Sequence, residues 1–339
     1  MAIDANAYSP KQFSFLIAEQ DDFGTLNPDS SGTPDLSWVA VDVDSVGSPS
    51  LNLNQVIEPR TGSRVLQATD FFQDNKAKVI EISVSGTATT EVLDMLLTNI
   101  TADNSAPYSV ASNAGSQTFT TATTNQTDIQ IFSIAYKSPS SGNTLAFKDC
   151  FCTSLSLNGD MGTEGGRVKF SATFKTGSLP ADLTNTDIAI DTAITANNYY
   201  MCSWDADDRI VAGVANCLVN SFTLNVENDM VFAGCTSTGY ELATRVGEVS
   251  ASADFNIKYD ANTDVLFENF HDQVTGASEG ATLMNHQASV VDANFGFKFA
   301  SSVMTSVALS EGDMMNLDVS VKAVGAGIGS STALFEIGC

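Results

Sequence analysis

Thr153-Ser-Leu-Ser-Leu-Asn-Gly-Asp-Met-Gly162 and, after a short break with two more glycines, Arg167-Val-Lys-Phe-Ser-Ala-Thr-Phe174 decide how this chain folds. Leu155 and Leu157 share one face of the first stretch, with Ser154 and Ser156 on the other. Along the second, Val168, Phe170, Ala172 and Phe174 alternate with Lys169, Ser171 and Thr173. Successive side chains of a strand point to opposite sides of a sheet. Period-two alternation on both sides of a Gly/Asn/Asp turn therefore predicts a β-hairpin with one apolar face. The arrangement returns near the C-terminus. Val303, Thr305, Val307 and Leu309 alternate, Ser310-Glu-Gly-Asp313 turns, and Leu317, Val319 and Val321 line the return strand. One such hairpin closing each half predicts two copies of one domain.

The charge balance narrows the function classes. Forty Asp and Glu face 15 Lys and Arg in 339 residues, a formal charge of -25. Such a surface repels phosphate backbones, which excludes a protein that grips DNA by its phosphates, and it argues against an anionic membrane as partner. Hydrophobic residues make up 43% of the chain, enough for packed cores and too many for a disordered acidic tail. Ser, Thr, Asn and Gly are plentiful while Lys, Arg and Glu are scarce, which favours strands and polar loops over helix bundles. No basic segment leads into an apolar one at the start, and no apolar run is long enough to span a bilayer. Neither Sec export nor a membrane span is expected.

In order, the first half reads as a polar N-terminal extension and a strand at Trp38 to Asp44 with Val39, Val41 and Val43 inward. A long excursion or loosely paired hairpin follows over 45–75. Next come a strand from Val79, a helix over 89–98 with Thr at the cap and an acid in its first turn, a polar loop over 101–127, and a strand from Ile129. The second half repeats this order. Cys217 to Val226 matches the early strand, Glu248 to Lys258 the Val79 strand, and Asp260 to Phe270 the helix, with Thr263-Asp-Val-Leu266 on Thr90-Glu-Val-Leu93. Val290 to Ala300 matches the Ile129 strand. The expected fold is mainly β: two tandem β-sandwich or rolled-sheet domains, each with a short flanking helix. The first covers 1–178 and the second 201–339, with a linker at 179–200.

No catalytic constellation emerges. His271 and His286 have no Cys or acid at a metal-ligand offset. Asp205, Asp207 and Asp208, like Asp42 and Asp44, lack the Gly and Glu positions of an EF-hand loop. Gly159 to Gly162 and Gly165-Gly166 are followed by no Gly-Lys-Ser/Thr, so they form no phosphate loop. Cys150, Cys152, Cys202, Cys217, Cys235 and Cys339 fit neither a zinc knuckle nor a redox pair and read as free thiols, with Cys339 placed for pairing between chains. The expectation is no enzyme, no metal and no cofactor.

The closing hairpin Thr153 to Phe174, the early strand Asn220-Ser-Phe-Thr-Leu-Asn-Val226, and Val249 to Phe270 with Ile257-Lys-Tyr-Asp-Ala-Asn-Thr263 resemble the corresponding pieces of the major tail tube proteins of long, non-contractile-tailed bacteriophages. These pieces cover about a third of the chain, in the right order. The resemblance implies rings of subunits that join their strands into a continuous inner β-barrel and stack into a hollow tube. That tube would be an acidic-lined conduit for double-stranded DNA, assembled in the host cytoplasm and carried on the virion tail. A duplicated chain implies a homotrimer with pseudo-sixfold symmetry, in contact with itself and with other tail proteins at the tube ends.

By the same resemblance, Leu155, Leu157, Val168, Phe170, Val307, Leu309, Leu317 and Val319 belong to inner-barrel hairpins whose polar faces meet the lumen. Lys169 and Lys322 are then basic residues on an otherwise acidic lining. The loops 45–75 and 101–127 reach the next ring, with Arg60 and Arg64 pairing there with acids. Three alternatives share some of these features: a decoration or minor tail protein, a β-rich adhesin, and a carbohydrate-binding module using Trp38, Trp204, Tyr199 and Tyr200.

Overall fold

A computed structural model of the chain describes residues 12–20, 22–26, 38–41, 43–47, 49–51, 55–58, 65–73, 79–101, 116–119, 131–139, 143–163, 167–184, 188, 190, 209–215, 217–235, 239–245, 249–272, 282–284, 295–299, 301–312, 314–325 and 334–338. The protein is mainly β and its named strands pair antiparallel. The first half carries β1 (Ser14–Gln20), β2 (Val39–Ala40), β3 (Val43–Val46), β4 (Ser50–Leu51), β5 (Gln55–Ile57), β6 (Phe71–Gln73), β7 (Ile80–Thr87), helix α1 (Thr90–Thr101), β8 (Ser116–Phe119), β9 (Ile131–Lys137), β10 (Asn143–Asp160), β11 (Val168–Thr176) and β12 (Ala181–Thr184). The second carries β13 (Ile210–Val211), β14 (Val214–Ala215), β15 (Val219–Glu227), β16 (Met230–Cys235), β17 (Tyr240–Arg245), β18 (Ser250–Lys258), α2 (Val265–Asp272), β19 (Thr282–Met284), β20 (Gly296–Phe299), β21 (Ser302–Glu311), β22 (Met315–Ala323) and β23 (Phe335–Gly338).

One sheet runs through both halves. Its neighbours are β7, β11, β10, β15, β18, β22 and β21, with β3 and β4 beyond β7. Each half therefore supplies four successive positions in one order: early strand, second strand, return strand of the hairpin, outgoing strand of the hairpin. In the first half these are β3–β4, β7, β11 and β10, and in the second β15, β18, β22 and β21. β10 joins two sheets. Residues 143–150 pair with β9 and β12, and residues 151–160 with β11 and β15.

Alternation explains the packing. In β7, Ile80, Ile82 and Val84 are buried while Glu81 and Ser83 are exposed; in β18, Ala251, Ala253, Phe255 and Ile257 are buried. All face one core that takes residues from both halves, including Leu155, Leu157, Phe170, Phe222, Phe297 and Val319. Each such Leu or Phe contributes about 1.5–3 kcal/mol by leaving water. α1 caps this core. Thr89 accepts the Val92 N–H on its hydroxyl at 3.4 Å, and Val92, Leu93, Leu96, Leu97 and Ile100 are buried.

Several expectations are corrected. The Trp38–Asp44 strand is broken: β2 pairs with β1, β3 pairs with β7, and Trp38 is fully buried in a second cluster with Leu16, Ala18 and Ala135. Both sides of this segment therefore bury apolar groups, and Trp38 cannot serve a sugar platform. Val303 does not share a face with Val307, because Thr305 is a bulge between Met304 and Ser306 that shifts the phase, leaving Met304 inward. The segment expected to be a linker, with room for a short helix or an edge strand, holds the strand β12 against β10, and Ile190 bridges Trp38. Within the expected loop 101–127, β8 pairs with β23 of the second half.

Candidate functional site

The two halves meet strand to strand, β10 against β15, with Leu155 opposite Val226 and Leu157 opposite Leu224. This junction joins the last strand of one repeat to the first strand of the next. At the far ends of the sheet the same two kinds of strand recur. Among the described residues β21 pairs only with β22, and β3 and β4 pair only with β7. Leu157 is 0% exposed at the internal junction, whereas Leu309, its counterpart on β21, is 52% exposed. Val307 is half-buried, and Leu155, Val168, Phe170, Leu317 and Val319 are buried. Of the eight expected hairpin residues, the structure brings six into the core and leaves Val307 and Leu309 on the open edge.

A polar knot locks the internal junction. Arg245, at the end of β17, reaches across to the first half, where Nη1 donates to the Cys152 carbonyl at 2.8 Å, and the same nitrogen donates to the Asn228 carbonyl within its own half. Its Nη2 donates to the Asn99 carbonyl at 2.6 Å. Asn228 donates its side-chain amide to the Ile100 carbonyl at 2.6 Å and its N–H to the Thr153 carbonyl at 3.0 Å. The last carbonyls of α1 are thus satisfied by the second half, with a cation at the negative end of the helix. Burial pulls the Arg245 guanidinium down to about 10. Nothing in the residue pattern marks Arg245, because the acceptors it reaches are carbonyls rather than acids.

The sheet's other face is polar. Ser154, Ser156, Ser171 and Thr173 stand beside Thr223, Asn225 and Ser252. Two of its acids have partners on neighbouring strands: Asp254 accepts from Ser320 at 2.6 Å and Asp318 from Asn256 at 2.6 Å. Lys169 lies on this face, as its alternation required, and binds Asp44 at 2.8 Å and Thr87 at 3.0 Å. Lys175 binds Asp229 at 2.7 Å, which holds that carboxyl below its usual range. The face mixes hydroxyls and amides with acids and lysines; Lys169 and Lys175 are held by acids, and Lys322 is exposed on it opposite Ser252.

A comparison with known families finds no family model that matches the chain, and no curated protein matches it.

The remaining candidates offer no chemistry on the described residues. His271 is exposed at the end of α2 with Nδ1 2.7 Å from Asp272. No three His, Cys, Asp or Glu among the described residues group together as metal ligands. Cys150, Cys152 and Cys217 are buried and free. Burial pushes the Cys152 thiol up to about 12 and that of Cys217 to about 11, and raises that of Cys150 as well, so none is a ready nucleophile. No helix among the described residues is long and apolar enough to cross a membrane. Arg60, Arg64, Asp42, Cys202, Tyr199, Tyr200, Trp204, Asp205, Asp207, Asp208, His286 and Cys339 lie outside the described residues.

Proposed function

We propose that the chain is a structural virion protein that polymerises into stacked rings, forming a hollow tail tube through which double-stranded DNA passes. One observation supports this reading: the β10–β15 junction joins an outgoing hairpin strand to an early strand, and among the described residues the same two kinds of strand end the sheet on either side. The pairing β10 makes with β15 is then repeated by β21 with β3 and β4 of the next copy. With the repeats aligned by register, Val307 falls opposite Leu51 and Glu311 opposite Val46 of that copy. An end-to-end contact that closes forms a ring, and one that does not forms a filament. Three chains supply six repeats and close the sheet into a barrel with its apolar side outward under the helices and its polar side inward. A lining of hydroxyls, amides and acids, with Lys169 and Lys175 paired to acids, gives DNA little to grip, since phosphate affinity comes from uncompensated cations.

Negative-stain electron microscopy of the concentrated protein, viewed end-on, tests the proposal. Hollow rings or tubes with threefold or apparent sixfold symmetry are expected. Discs without a channel would replace the tube with a decoration role, and a chain that stays monomeric at all concentrations and salts would remove it.

A further inference from the structure

We infer that the β5–β6 hairpin is a docking arm whose Ile57 seats on Val303 and Val324 of a second copy of this chain. The inference rests on the ring reading and adds to it a contact outside the barrel.

The argument starts from the second half, where the equivalent arm is already docked. Hairpin β16–β17 leaves between β15 and β18, just as β5–β6 leaves between β4 and β7. Counted from the root of each arm, Gln55–Gln73 answers to Met230–Arg245 and Ile57–Phe71 to Phe232–Ala243. Phe232 packs on the first half, with its ring 6.1 Å from that of Phe151 and 5.7 Å from that of Tyr240. Gly177 makes room for both rings: a Cβ there would lie 2.5 Å from Tyr240 and 2.9 Å from Phe232. The receiving surface is therefore the Phe151 end of β10 together with Gly177 after β11.

The first arm leaves from the early strand at the far end of the sheet. Ile57 is 48% and Phe71 41% exposed, an apolar pair facing solvent on a two-stranded arm. The register of the two hairpins places Val303 where the first half has Phe151, and Val324 where it has Gly177. Both valines are half-buried. Sizes compensate across the two versions: a phenylalanine over a glycine in one, an isoleucine over a valine in the other. A second copy, joined edge to edge at β21, brings its own β5–β6 arm to that surface, as β10–β15 pairing brings β16–β17 to Phe151.

The test uses the full chain with Cys202, Cys235 and Cys339 replaced by Ser and carrying Ile57→Cys and Val324→Cys. Mild oxidation of assembled material is expected to give disulfide-linked multimers on a non-reducing gel, absent with either cysteine alone. In the otherwise native chain, Ile57→Asp is expected to raise the concentration needed for assembly by about tenfold. Normal rings or tubes that give no inter-chain disulfide, with Ile57→Asp assembling at the native concentration, would overturn the arm and leave the ring reading standing. Native protein that never leaves the monomer would overturn both.

Discussion

Thr153 and Thr305 are the same residue in two places. Each is the extra residue of a bulge in the outgoing strand of its hairpin, and each donates its hydroxyl at 3.2 Å to a carbonyl across the ladder, Thr153 to Thr173 and Thr305 to Ser320. A second pair of bulges, at Asp44 and Asn220, falls at matching points of the early strands. Bulges bend and twist a strand at a defined point, so the halves share curvature as well as strand order.

The burial difference between these threonines gives a first expectation. Thr153 is buried and Thr305 exposed. Thr153→Val is expected to cost about 1 kcal/mol and Thr305→Val close to nothing, because only the buried carbonyl loses its partner without water replacing it. Equal costs in urea unfolding would contradict this.

Leu157 and Leu309 should separate folding from assembly. Leu157→Asp buries a carboxyl in the core and is expected to lose on the order of 4 kcal/mol or more. Leu309→Asp alters an exposed edge and is expected to leave monomer stability within about 0.5 kcal/mol, while abolishing rings. A Leu309→Asp protein that assembles like the native one would remove the β21 edge from the contact.

Arg245→Met keeps the side-chain length and removes the fork. Three carbonyls, those of Asn99, Cys152 and Asn228, then lose a donor, at an expected cost on the order of 3 kcal/mol. Arg245→Lys should recover only part of it, since an ammonium cannot span the same fork. Thermal unfolding checks both, and identical transitions for the native protein and Arg245→Met would show the knot to be idle.

The buried thiols set an alkaline limit. Cys150, Cys152 and Cys217 are held above their ordinary value of 9.0 by burial. Above that value the unfolded chain releases protons that the native one keeps, so stability falls as pH rises. Arg245, lowered to about 10, acts in the opposite sense above that pH, which confines the clean window to the unit just below it. Urea midpoints in that window should decline less steeply in Cys152→Ala, and parallel curves would assign the loss elsewhere.

The hairpins were legible because apolar and polar residues alternate on both sides of a glycine turn, and the order of elements repeated well enough to align the halves. Bulges were not legible: Thr305 is an ordinary strand residue, and only pairing reveals that it has no partner opposite. The β16–β17 arm escaped notice because Met230-Val-Phe-Ala-Gly-Cys235 is apolar on both sides: Val231 and Ala233 are exposed while Met230 is buried and Phe232 packs on Phe151, so no polar alternation marks the strand. Pairing of β8 with β23 joins residues far apart in sequence through segments that carry no pattern. Arg245 was hidden for a chemical reason, since carbonyl acceptors leave no trace in composition.

The matching bulges carry different chemistry. Lys169 grips Asp44 in the first half, whereas the aligned positions in the second hold Asn220 and Asn316, whose amides meet at 3.3 Å. One clasp is ionic and half open to water; the other is neutral. Added salt weakens only the first, so a high-ionic-strength medium should loosen β3 while β15 keeps its exchange protection. Since β3 is an end strand and β15 an interior one, this clasp carries a polarity in its response to electrolyte: the copy at the end of the sheet senses the ionic medium and its interior counterpart does not.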